Sequence, residues 1–406
     1  MTKAVLLEDP HPSADPIFAD ADITVERISG ALDESELIDA LSDADIVGIR
    51  SKTSVTRRVI EACPRLSVIG CFCIGTNQVD IDAATAAGIA IFNAPYSNTR
   101  SVVELAIGHI ISLTRRIPAK NAALHRGEWQ KTASGAHEVR GKTLGIVGYG
   151  NIGTQLSVLA EAMGMNVVFY DHTDRLALGN AVKLGSLDDL LRMSDVVSLH
   201  VDGRETNRDF FGEREFSQMK DGALFINLAR GFVADIEALR RHLVSGHLAG
   251  AAVDVYPSEP KKNGDPFTSP LVGLDNVILT PHIGGSTLEA QNDIGRFVAG
   301  KIVDYRTRGI TEMSVNIPNL TLQANPDARY RLCHIHRNMP GVLAAVNQTF
   351  ATQGVNINGQ ILGTQAEVGY ALTDIASELP VETVAALRAM TETVRLRVLE
   401  LDSANA

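Results

Sequence analysis

Cysteine is scarce in this chain: four in 406 residues (Cys63, Cys71, Cys73 and Cys333). They have neither paired zinc-ligand spacing nor the density of a disulfide framework, so both are excluded and four reduced packing thiols are expected. An excess of positive charge is also missing. With 37 basic against 48 acidic residues the net charge is -11, which disfavours nucleic acid or an anionic membrane as partner. Any anionic substrate therefore needs a local cluster of cations. No apolar run approaches the ~20 residues of a membrane span. The opening Met1-Thr-Lys-Ala4 lacks an extended apolar leader, so a cytoplasmic protein is expected.

What is present begins with length. At 406 residues and 45% hydrophobic side chains, the chain can form two or three domains, each with its own core. In its middle stands Gly148-Tyr-Gly-Asn-Ile-Gly153. Alone, such a run can be a turn that packs a helix on a strand, so its context decides. Thr143–Val147 reads as a strand before it, Asn151–Met163 as a helix closed by Gly164, and Asn166–Tyr170 as a second strand ending in Asp171. In a βαβ unit of this form the glycines allow a tight turn and close approach to a pyrophosphate. The helix start supplies oriented N–H groups, and a carboxylate at the second strand end accepts the ribose hydroxyls. Asp171 would repel a 2′-phosphate, so NAD is the expected cofactor.

The region before the glycine run alternates strand-like segments (Val5–Leu7, Ile46–Ile49, Leu66–Cys73, Ala90–Phe92) with helical ones, including Asp33–Leu41, an α/β pattern of its own. Long helical stretches at Thr99–Leu124 and Ser286–Arg308 flank the nucleotide unit, which suggests an inserted domain with a hinge. The expected organisation is a discontinuous substrate domain (1–98 and 285–317), a nucleotide domain (99–284), a linker (318–329) and a C-terminal domain (330–406). The last reads as strand Tyr330–Ile335, helix Val342–Gln353, strands Val355–Leu362 and Val368–Ile375, helix Val381–Thr391 and strand Val394–Leu401. That βαββαβ order is ferredoxin-like. The fold class is thus α/β, two doubly wound domains plus a ferredoxin-like module.

In the middle domain successive strand-like runs end in Asp171, His200, Asn227, Asp254 and Pro281-His282. On a parallel sheet these fall along the carboxyl edge, where such sheets bind ligands. Any one alone reads as a cap or turn residue; five in a row read as the lining of a cleft. Oxidising an alcohol requires a proton acceptor, a cation to polarise the oxygen and a hydride acceptor. His282, paired with Glu259, and Arg230 supply the first two.

Here Asn227-Leu-Ala-Arg-Gly231, Ala252-Val-Asp-Val-Tyr256 with Glu259, and Thr280-Pro-His-Ile-Gly-Gly-Ser-Thr287 resemble the active-site segments of NAD-dependent D-2-hydroxyacid dehydrogenases. Arg50-Ser-Lys-Thr53, Ile69–Asp80, Phe92–Ser101 and His334–Leu343 narrow the resemblance to the bacterial phosphoglycerate-oxidising branch of that family, over nearly the whole chain. The resemblance implies that His282 is the acid/base, Glu259 tunes it and Arg230 orients the substrate. It implies cofactor contacts from Gly148, Gly150, Asn151, Ile152, Gly153, Asp171, His200, Leu228, Ala229, Gly284 and Gly285, with Asp254 on the nicotinamide carboxamide. The substrate carboxylate would meet Ile74 and Gly75, and its phosphate Arg50, Ser51 and Lys52, the local cationic cluster the acidic chain requires. Trp129 would lie at a subunit contact, and Lys131 would add charge near a neighbouring substrate site. The C-terminal module resembles an ACT domain, implying L-serine held by His336, Asn338 and Asn356 between two such domains of a homotetramer. Two departures weaken the expected coupling to activity: Arg337 stands where an acidic residue is usual, and the linker Gln323–Tyr330 lacks paired glycines.

The activity implied is NAD-linked oxidation of D-3-phosphoglycerate to 3-phosphohydroxypyruvate, opening serine biosynthesis, without metal, nucleic acid or membrane. Two alternatives stay open. One is the same chemistry on 2-hydroxyglutarate or glycerate; the other is a non-catalytic, NAD-sensing corepressor-type protein.

Overall fold

A computed structural model describes residues 2–260, 264–323 and 325–401. Of the expected segments, Ala324 in the linker and residues 402–406 lie outside the described residues. The chain divides into two compact units, Met1–Ser97 with Gln291–Ala406, and Asn98–Ala290.

In the first unit, short aliphatic runs form a parallel sheet of β1 (Thr2–Leu7), β2 (Ile23–Ile28), β3 (Ile46–Ile49), β4 (Val68–Cys71) and β5 (Ala90–Asn93), in the order β2-β1-β3-β4-β5. Both β3 and β4 are buried at all four positions, as a parallel sheet covered on both faces demands. The edge strand β2 is polar at Thr24, Glu26 and Arg27 and largely exposed, so it has no apolar run to betray it. Gly70 permits close packing: a Cβ there would lie 2.6 Å from Ile302. Helix Leu288–Arg308 thus presses Val298, Ala299, Ile302 and Tyr305 into the core.

The second unit carries seven parallel strands: β6 (Thr143–Val147), β7 (Asn166–Tyr170), β8 (Val182–Lys183), β9 (Val196–Leu199), β10 (Ala223–Asn227), β11 (Leu248–Val253) and β12 (Val277–Leu279). Their order is β12-β11-β10-β9-β6-β7-β8. The order therefore reverses at β6/β9, the place where open α/β sheets accept ligands. The long helical stretch expected over Thr99–Leu124 is instead two helices, Thr99–Thr114 and Ile117–His125, separated by Arg116 at φ +55°. Pro118 is the reason: in a continuous helix it would have no N–H for Thr114 O and its ring would crowd that carbonyl, whereas in the first turn of a new helix the missing N–H costs nothing.

The C-terminal part of the first unit forms an antiparallel sheet of β13 (Tyr330–Arg337), β14 (Gly359–Gln365), β15 (Val368–Ile375) and β16 (Thr393–Glu400), ordered β14-β15-β13-β16. One face packs Leu332 and Leu396 on Val346, Phe350 and Leu387 of its helices, Val342–Thr352 and Val381–Ala389. The other puts Cys333, Ile335, Tyr370 and Leu372 into the same core as Phe92, Ile302 and Tyr305. β14 starts at Gly359 instead of Val355, and Asn358 just before it already reaches the neighbouring strand: its N–H donates to Asp374 O (2.8 Å), and its side chain accepts from Ala376 N–H (3.0 Å). No helix among the described residues is long and apolar enough to cross a membrane.

Candidate functional site

At the carboxyl end of β6 the glycine run turns directly into helix Asn151–Ala162. Gly148 sits at φ +94°, and a Cβ on it would stand 2.6 Å from His200 O. A Cβ on Gly153 would stand 2.3 Å from Gly148 O, so only glycine lets the helix lie this close to the loop. In front of Gly150 the space is open. The helix has no side-chain cap, which leaves the first-turn N–H groups of Asn151, Ile152 and Gly153 as donors for an anion. Asp171 is bound to this loop, with Oδ2 accepting from Tyr149 N–H (2.8 Å) and Oδ1 from Thr173 N–H (2.9 Å). Burial alone would raise its pKa, but these donors, with Arg175, hold it below the usual carboxylate value. The His200 ring bonds Ser198 Oγ through Nε2 (2.8 Å). Its Nδ1 is buried without a partner, and burial lowers the ring's pKa to about 4. The open loop, the uncapped donors, the ionised strand-end carboxylate and this orphaned nitrogen all fit a dinucleotide. Leu228 and Ala229 turn their side chains into the core, so only their backbone can face it.

Farther along the same sheet edge the chain builds an imidazole–carboxylate pair. His282 follows β12 in a turn at φ +54°, and its Nδ1 lies 2.8 Å from Glu259 Oε2. A carboxylate only accepts, so Nδ1 carries the proton and Nε2 is left with the lone pair. The bond to Glu259 raises the imidazole's pKa against the opposing pull of burial. For Glu259 burial pushes upward, yet His282 and the Tyr256 N–H hold it low. Arg230 is near enough for its charge to act on both. Its loop is pressed against the Tyr256 backbone, since a Cβ on Gly231 would stand 1.9 Å from Tyr256 C. Asn227 braces that loop, accepting from Ala229 N–H (3.0 Å) and donating to Arg230 O (3.2 Å).

The turn holding His282 is fixed from beneath by Asp254, a buried carboxylate. It accepts from Thr280 Oγ1 (2.6 Å), Ile283 N–H (2.9 Å) and Gly284 N–H (2.8 Å). Sequence reasoning missed Thr280 and Tyr256 as members of this site. The Tyr256 hydroxyl contacts the carbonyls of Val253 and Thr280, tying the Glu259 loop to the His282 turn. A Cβ on Gly285 would meet Asn98 Nδ2 at 2.2 Å, so this turn too requires its glycine.

In the first unit, Arg50, Ser51 and Lys52 leave the carboxyl end of β3, with Ser51 and Lys52 exposed and Arg50 partly so. Ile74 and Gly75 follow β4. Their carbonyls accept from Asn93 (2.6 Å) and Gln78 (3.3 Å), and among the described residues their N–H groups have no acceptor. The order β2-β1-β3 reverses at β1/β3, a second switch point.

In the C-terminal module the three residues expected around serine are not joined. His336 is buried, with Nδ1 donating to Arg337 O (2.8 Å) and Nε2 unpartnered. Asn338 is exposed and donates to Ala366 O (3.0 Å), and Asn356 is exposed. Trp129 is 79% exposed. The four cysteines are free, and burial raises the pKa of Cys71 well above, and that of Cys73 to about 11.

A dinucleotide loop and an imidazole–carboxylate pair along one sheet edge are the equipment of an NAD-dependent oxidoreductase. The comparisons agree. Residues 107–284 match the D-isomer specific 2-hydroxyacid dehydrogenase NAD binding domain, and residues 332–395 match an AHAS small subunit-like ACT domain. The chain is similar to D-3-phosphoglycerate dehydrogenase of Escherichia coli strain K12, with 52% identity over 98% of this chain and 97% of that protein. It is 49% identical to the enzyme of that name from Haemophilus influenzae, over 98% and 97%. A D-lactate dehydrogenase from Aquifex aeolicus, solved with NAD and lactic acid, superposes with a TM-score of 0.66 at 27% identity, over 78% of this chain and all of that one. The chain belongs to the D-3-phosphoglycerate dehydrogenase family.

Proposed function

We propose that the protein oxidises D-3-phosphoglycerate to 3-phosphohydroxypyruvate with NAD, opening L-serine synthesis. The His282–Glu259 pair carries this reading, because it leaves Nε2 as a base whose proton affinity its partner raises. Bound NAD supplies the acceptor for the hydride that leaves C2. His282 takes the hydroxyl proton through Nε2, Glu259 stabilises the resulting imidazolium, and Arg230 orients the substrate. The glycine loop, Asp171, His200 and the Leu228–Ala229 and Gly284–Gly285 backbone hold the cofactor. Asp254, whose oxygens already accept three bonds, contributes first by holding the His282 turn. Arg50, Ser51 and Lys52 take the phosphate, and the free N–H groups of Ile74 and Gly75 take the carboxylate.

We further assign 1–98 and 285–317 to substrate binding, 99–284 to NAD, 318–329 to the linker and 330–406 to regulation. L-serine is the effector, a homotetramer the assembly and the cytoplasm the compartment. Two assays test the whole reading. NAD reduction with 3-phosphoglycerate, run with and without L-serine, must show turnover that serine depresses. Comparison of kcat/KM with 2-hydroxyglutarate and glycerate must favour the phosphorylated acid.

A further inference from the structure

Behind the basic triplet lies a buried acid with no part in the chemistry above. Glu8 follows β1, is 8% exposed, and its carboxylate accepts from the backbone N–H groups of Arg50 (3.3 Å), Lys52 (3.0 Å) and Thr53 (2.8 Å). The Arg50 guanidinium returns to Glu8 O at 3.4 Å. From the other side Gln78 Nε2 donates to Arg50 O at 2.6 Å and to Gly75 O at 3.3 Å, so one side chain links the triplet to the Ile74–Gly75 loop. Glu8 and its neighbour Asp9 both adopt left-handed backbone, at φ +65° and +52°. Two successive non-glycine residues in that region are strained, and such strain persists only where the surroundings enforce it.

We propose that Glu8 is a positioning residue that determines how the substrate's phosphate is recognised. A carboxylate accepting three N–H groups turns the loop backbone inward, so those amides cannot serve an anion as a phosphate-binding nest does. With those three N–H groups taken, the phosphate is read chiefly by the exposed side chains of Ser51 and Lys52 and by Arg50, whose guanidinium Glu8 holds through its own carbonyl. The location agrees, since Glu8 and the triplet end β1 and β3, the two strands at which the sheet order reverses.

This inference rests on the assignment of the triplet to phosphate, and the experiment separates the two. Glu8→Gln presents an amide N–H₂ to N–H donors. It is expected to raise KM for 3-phosphoglycerate about tenfold or more, the worth of a charge-assisted hydrogen bond, with kcat and KM for NAD within about twofold. Gln78→Leu removes the second brace and is expected to act in the same direction, which keeps the idea testable if Glu8→Gln does not fold. An unchanged KM for 3-phosphoglycerate in the folded variants, or an equal deterioration of kcat and both KM values, overturns the positioning role. Arg50→Ala with Lys52→Ala is the control. If that pair leaves KM for 3-phosphoglycerate unchanged, the phosphate assignment falls and takes the inference with it; if it raises KM while neither brace does, only the inference falls.

Discussion

At the residue scale the decisive interaction is His282 with Glu259. Replacing His282 with Ala removes the proposed general base and should lower kcat roughly 100-fold or more, and wild-type turnover in that variant would refute the role. The pH dependence has a definite sign. Oxidation needs neutral imidazole, and Glu259 raises the imidazole's pKa above its ordinary value, so kcat/KM for oxidation should rise as pH increases through that raised pKa. Reduction of 3-phosphohydroxypyruvate needs the imidazolium, so its rate should fall through the same value. In Glu259→Gln the main cause of the shift is gone, and both limbs should move to lower pH; limbs that stay in place would show that Glu259 does not tune the base. That His282, Glu259 and Arg230 come together was legible, because each stands in a short, chemically distinctive segment at a strand end. The holding roles of Asp254 and Glu8 were not. Their partners lie 26–30 and 42–45 residues away in sequence, and only folding reveals which N–H groups a carboxylate accepts.

At the element scale, the glycine run is a packing constraint as much as a binding loop. A methyl group on Gly153 would stand 2.3 Å from a backbone oxygen, so Gly153→Ala should displace the start of helix Asn151–Ala162. The expected outcome is a KM for NAD raised about tenfold or more, through loss of the aligned N–H groups, with KM for 3-phosphoglycerate little changed. An unchanged KM for NAD would mean that the helix start does not hold the cofactor. Strands β3, β6 and β7 were readable to the residue because each is a mainly apolar run of four or five residues bounded by turn or polar residues. The edge strand β2 escaped, since Thr24, Glu26 and Arg27 face out and leave no run to see. The break at Arg116 escaped because the apolar periodicity continues through it, although Pro118 was the available signal.

At the scale of the whole molecule, the first sheet and the C-terminal sheet share one core, and the segment between them is fastened. Arg331 and Asp374 form a bidentate pair, 2.7 Å at both contacts, with side chains 3% and 1% exposed. The same guanidinium donates to the carbonyls of Arg308, Leu322 and Gln323, the chain leading into β13. A glycine-poor linker pinned in this way holds the module in place through its backbone carbonyls. Removing one charge of a buried pair strands the other, which typically costs about 3–5 kcal/mol. Asp374→Asn should therefore lower unfolding stability by about that amount, read by denaturant titration. Because Cys333, Tyr370 and Leu372 lie in one core with Phe92, Ile302 and Tyr305, the loss should appear as an earlier single transition of the first unit as a whole. A separate early melting of residues 330–401, with the first sheet unchanged, would show that the shared core does not couple them.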